Sequence, residues 1–160
     1  MLTERGRSDL MLPVPEDGRR LKRLLWLHTV PHHDPGIANL MRERDAVVLF
    51  EEMGQMHLDT LDPDDPFPGL ARRLTDHVMW GSSARRARLN VALARQLKVD
   101  GALHFNHMGC RHGLGSVPVL RAAFAKEGIP FVAIDADALA LGGPQQEKSL
   151  QALESFLELL

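Results

Sequence analysis

Four short apolar runs, separated by stretches of helical periodicity, leave this chain few ways to fold. The runs are Leu24–Thr29, Asp45–Phe50, the stretch that begins at Val99 and ends near His107, and Pro130–Asp135. Asp34-Pro35 and Asp65-Pro66 each offer a side-chain acceptor followed by proline at the first helical position, a helix start. Ile37, Leu40 and Met41 then share one helical face, and Leu70, Leu74 and Val78 are spaced by four along another. Gly81 ends that second helix. Ser82-Ser83 caps a third, from 84 to 98, with Ala87, Val91, Ala94 and Leu97 as the buried stripe and Arg85, Arg86, Arg88 and Arg95 turned outward. A fourth is expected from Ser116 to Glu127, with Leu120, Ala123 and Phe124 inward, closed by Gly128 and Pro130. A last helix from Pro144 to Leu160 keeps Leu150, Leu153, Leu157 and Leu160 in register. The connection from Glu51 to Asp64 is left unassigned by its pattern.

Strands that alternate with helices argue for a parallel sheet covered on both faces. The expected fold is α/β, a doubly wound flavodoxin- or Rossmann-like unit with a four-stranded parallel sheet. Right-handed crossovers give the strand order 2-1-3-4 and put the switch point between strands one and three. Ligands of such sheets bind at the strands' carboxyl ends at that point. Segments 28–34 and 106–113 then face each other across a crevice.

Composition narrows the function classes. With 160 residues the chain is long enough for one domain with a real core; residues 1–20 read as a linker or mobile arm and 21–160 as the folded domain. A net charge of −2 gives no basic excess for nucleic acid. No apolar run approaches the ~20 residues that span a bilayer, and the N-terminus lacks a signal-peptide pattern. One cysteine makes no internal disulfide, so a reducing cytoplasm is the expected home.

That cysteine, Cys110, lies in a Gly-flanked turn after strand three, beside His107, Arg111 and His112. Cationic neighbours at a strand end favour a thiol able to bind metal or react; a small buried core residue is the other reading. The spacing His104-x-x-His107-x-x-Cys110-x-His112 permits a zinc site, although His104 sits inside the strand. His28, His32 and His33 cluster after strand one, either as solvated loop residues or as proton donors to a substrate carbonyl. Glu51 and Glu52 read as a solvated turn in preference to a general base. Asp135 and Asp137 orient a ligand or cap a loop. No Gly-x-Ser-x-Gly elbow and no Gly-rich phosphate loop is present.

Val99-Asp-Gly-Ala, His107-Met-Gly-Cys-Arg111, Gly128-Ile-Pro-Phe-Val-Ala-Ile-Asp-Ala-Asp137, Gln145-Gln146 and the run from Leu153 to Leu160 together resemble the 2-hydroxyacyl-CoA dehydratase / benzoyl-CoA reductase family. Leu24-Leu-Trp-Leu-His28, Val47–Met53 and Asp65-Pro-Phe67 are similar to it as well, so the likeness runs from about residue 20 to the C-terminus. It is similar to the C-terminal half of a D-component-like subunit.

The resemblance implies a flavodoxin-like domain whose Cys110 ligates a 4Fe–4S cluster; Arg111, its neighbour in sequence, is a further cofactor-binding candidate. Acyl-CoA is then the substrate, an ATP-dependent activator delivers one electron, and a ketyl-radical route eliminates water from a 2-hydroxyacyl-CoA. His28 and His107 are the catalytic candidates. A missing N-terminal domain or a related second subunit is the expected partner, because one thiolate cannot complete the cluster. Gln151-Ala152 replaces a Thr-Arg pair usual in that family. Two other readings remain: a benzoyl-CoA reductase-like subunit, and a CoA-binding or subunit-interaction domain without a cluster. A metal-independent role for Cys110 with His107 lacks a visible third orienting residue.

Overall fold

The computed structural model describes residues 18–31, 34–54, 61–137 and 142–160. The arm expected over residues 1–20 lies almost wholly outside them, as do His32 and His33. Four strands, β1 (Lys22–Leu27), β2 (Ala46–Glu51), β3 (Gly101–His107) and β4 (Phe131–Ala136), form one sheet. All pairings are parallel and the order is β2-β1-β3-β4, as the alternation predicts. The helices are α1 (Pro35–Glu43), α2 (Pro66–Asp76), α3 (Ser83–Leu97), α4 (Arg111–Lys126) and α5 (Pro144–Leu159).

Burial of the sheet on both faces explains why its central strands read as continuous apolar runs. Side chains alternate across the pleat. Leu24, Trp26, Leu103 and Phe105 meet Ile37 and Met41 of α1 and Leu153, Phe156 and Leu157 of α5. Leu25, Leu27 and Ala102 meet Ala87, Leu93, Ala94 and Leu97 of α3 and Leu120 and Phe124 of α4. Each fully buried leucine in these layers contributes about 1.5–3 kcal/mol.

The helix starts follow the capping logic where the caps are real. Asp34 accepts from Gly36 N at 2.8 Å and Ile37 N at 3.4 Å, and Ser82 accepts from Arg85 N at 3.2 Å. Asp65 precedes proline at the head of α2 but makes no side-chain cap. α2 ends at Asp76, short of the stop expected at Gly81, and its apolar row is open to solvent: Leu70 is exposed, Leu74 is 70% exposed, and Val78 is buried only after the helix has ended. Pattern alone gave the amphipathicity; nothing in it supplied a covering element.

The connection from β1 runs to α1 on one face, and that from β3 runs to α4 on the other. The two connections therefore diverge at the adjacent carboxyl ends of β1 and β3, the switch point of the sheet.

Candidate functional site

Cys110 is the N-cap of α4. Its backbone is extended (φ −98°, ψ 94°) and its Sγ accepts from Gly113 N at 3.3 Å. The helix therefore starts at Arg111, not near Ser116, and Gly113 and Gly115 lie inside its first turns. Gly113 packs closely on His28: a Cβ there would stand 3.1 Å from Nε2 of His28, tighter than ordinary contact.

His28 closes β1 with φ at 68°, the left-handed region, which costs about 1–2 kcal/mol for a residue with a Cβ. Its backbone N–H donates to Oε2 of Glu52 at 2.8 Å. Its Nδ1 lies 3.1 Å from the carbonyl of Phe105. A carbonyl only accepts, so Nδ1 carries the proton and the neutral ring leaves a lone pair on Nε2. Burial, then the charge of Arg86, lowers the pKa of His28 below its ordinary value and keeps the ring neutral.

Beneath the strand ends lies a buried ion pair that the sequence reading misplaced twice. Glu52, expected in a solvated turn, is 0% exposed; Arg86, expected to face out, is 1% exposed. Arg86 Nε donates to Glu52 Oε1 at 2.6 Å and Nη2 to Oε2 at 2.5 Å, a bidentate pair. Asn90 Nδ2 donates to Glu52 Oε1 at 2.5 Å. Arg86 Nη1 donates to the Ser116 hydroxyl, which donates to the Gly113 carbonyl at 2.7 Å. Burial alone would raise the Glu52 pKa, but hydrogen bonds and charge from Arg86 outweigh it and hold the carboxyl below its ordinary range. A signal was present: Arg86 and Asn90 occupy the same helical rows as Leu93 and Leu97, where polar residues on an apolar stripe mark a buried network.

His104 stacks on His28, ring centroids 5.5 Å apart, and its Nε2 takes a hydrogen bond from Arg86 Nη2 at 3.2 Å. Burial first, and Arg86 second, press its pKa down to about 3. The Asn106 side chain, hydrogen-bonded to the His104 ring, acts in the opposite direction but more weakly. Asn106 Nδ2 donates to Asp135 Oδ1 at 2.7 Å, while the Asp135 carbonyl receives Gln145 Nε2 at 2.7 Å and Ser149 Oγ at 2.5 Å. Asp135 thus ties β3 and α5 to the end of β4. His107 is half-buried, its Nδ1 4.0 Å from Asp137 Oδ1. Arg111 and His112 are exposed on the first turn of α4. Exposed apolar side chains flank the cysteine: Met108 is 57% and Leu114 38% exposed. Two grooves lie elsewhere, one of about 430 Å³ between α3 and α4 and one of about 320 Å³ beside β1, β2 and α1.

The family model described as 2-hydroxyglutaryl-CoA dehydratase, D-component, matches residues 9–160. The chain belongs to that D-component family. No curated protein sequence matches the chain. Membership makes it a 2-hydroxyacyl-CoA dehydratase-type component and agrees with a partner subunit. Within this D-component chain, the switch point brings Cys110, His28 and His107 to one end of the sheet, with Arg111 leading α4. His104 is directed at Arg86, not toward a shared metal position with Cys110. Among the described residues no three His, Cys, Asp or Glu side chains are placed to hold a metal ion, and no helix is long and apolar enough to cross a membrane.

The donor chemistry at Cys110 fits one ligand of an iron–sulfur cluster. The Gly113 N–H donated to Sγ leaves the sulfur's other lone pairs for a metal, and cysteine sulfur is the usual ligand of such clusters. It does not fit a whole cluster, because the D-component chain has one cysteine.

Proposed function

We propose that this chain is part of a 2-hydroxyacyl-CoA dehydratase in which Cys110 supplies one thiolate to a 4Fe–4S cluster completed by another chain or domain. The observation that carries the reading is Cys110 at the N-cap of α4, just past the carboxyl end of β3 in a chain of this family. Exposed Met108 and Leu114 on either side support it, since apolar groups beside a half-buried ligand suit a covering surface.

When bound, the cluster supplies the single electrons, received from an ATP-dependent activator, that open a ketyl-radical route for loss of water. The chain's own residues bind and position. Arg111, exposed at the head of α4, is suited to the anionic part of an acyl-CoA, reinforced by the helix N-terminus. His107, at the rim beside Asp137, is the group placed to hold or pass a proton. His28, neutral and packed beneath Gly113, backs the first turn of α4.

The test is anaerobic conversion of a 2-hydroxyacyl-CoA to the enoyl-CoA by the chain assembled with its partner subunit and activator. Cys110→Ser is expected to fall to background and His107→Gln to lose about 10²–10⁴-fold. Full activity in folded Cys110→Ser contradicts the proposal.

A further inference from the structure

Several structural costs converge on one residue, His28. Its backbone is held at φ 68°, its N–H is committed to a carboxylate 2.8 Å away, and its ring lies so close to α4 that a Cβ at position 113 would stand 3.1 Å from Nε2. The carboxylate is in turn buried completely and neutralised by a guanidinium buried almost as fully. Stability gives little reason for such an arrangement, because apolar residues of similar volume in place of a buried ion pair are often neutral or better. Strained backbone that persists under this much support gathers at functional sites.

The connectivity shows what the support reaches. One arm of Arg86 grips Glu52, whose Oε2 holds the His28 N–H at the end of β1. The other arm grips Ser116 on α4, whose hydroxyl is bonded to the Gly113 carbonyl. The Gly113 N–H is the donor to Cys110 Sγ. A single guanidinium therefore links the end of β1, the turn after β2 and the first turn of α4.

We propose that Glu52 and Arg86 are positioning residues that set the Cys110 turn, by clamping His28 from one side and the Ser116–Gly113 turn from the other. The consequence for a cluster rests on Cys110 being a ligand; the positioning itself does not.

The test uses the reduced full chain without iron. Alkylation of Cys110 by iodoacetamide is followed at one fixed pH, together with the amide resonances of His28 and Gly113. The variants are Ser116→Ala, which removes one acceptor of Arg86, and the charge-neutral double change Glu52→Gln with Arg86→Gln. Ser149→Ala, which breaks a comparably buried hydroxyl contact on α5, is the control.

Both network variants are expected to change the alkylation rate by about threefold or more. The Gly113 amide should move with them, while Ser149→Ala keeps the wild-type rate. An unchanged rate and an unmoved Gly113 amide in folded Ser116→Ala overturn the proposal even if the double variant fails to fold. An equal change in Ser149→Ala also overturns it, as general loosening. Failure of the cluster reading has a different signature: no iron in the assembled complex, with the alkylation differences intact.

Discussion

A guanidinium sealed from water must find a partner for each donor, and Arg86 finds Glu52, Ser116 and His104. This forces His104 to remain an acceptor at Nε2, hence neutral. Below pH 6.5 the unfolded chain takes up a proton at His104 that the folded protein refuses until about pH 3. Stability is therefore predicted to fall as pH drops through that window, by about 1.4 kcal/mol per pH unit from this residue. His28, lowered in the same direction, adds to the slope just below 6.5. Glu52 acts lower still: its stabilisation is present above its unfolded value near 4.5 and is lost as pH falls through its depressed folded value. Urea melts between pH 7 and 5 measure the effect, and His104→Gln should flatten the slope; a pH-independent midpoint in wild type contradicts the account. Cys110, His28 and His107 were legible as residue types at strand ends. Glu52 and Arg86 were not, because charge is read by default as solvent-facing and their burial depends on three elements meeting.

At the scale of elements, starts and stops were legible where local chemistry decided them. Asp34-Pro35 gave α1 because the carboxylate caps it, and the same side chain accepts Gln146 Nε2 of α5 at 2.7 Å. Asp34→Ala is predicted to lose about 1–2 kcal/mol in a denaturant melt, with Asp34→Asn retaining most of it; a change below a few tenths contradicts the capping role. The head of α4 was misread for a physical reason. Glycine is a poor helix former, so Gly113 and Gly115 looked like loop, whereas the first of them packs inside the helix closely against the His28 ring. The stripe of α2 shows the opposite limit. Phe67, Leu70 and Leu74 have the right period for a core helix, yet remain exposed.

For the whole molecule, four apolar runs and their helices carried the sheet order and both core layers, because parallel α/β topology leaves few alternatives. The same topology explains why the site is one-sided. Two strand ends and the head of one helix bring a single thiolate to the surface, with no further cysteine in the chain to join it. The central claim is that Cys110 completes a cluster shared with another chain or domain. Iron and acid-labile sulfide in the anaerobically assembled complex with the partner subunit, for wild type and Cys110→Ser, test it most directly. The account predicts a brown wild-type complex containing both elements and their loss from a Cys110→Ser complex that still assembles. Equal iron and sulfide in the two complexes, or none in either, contradicts it.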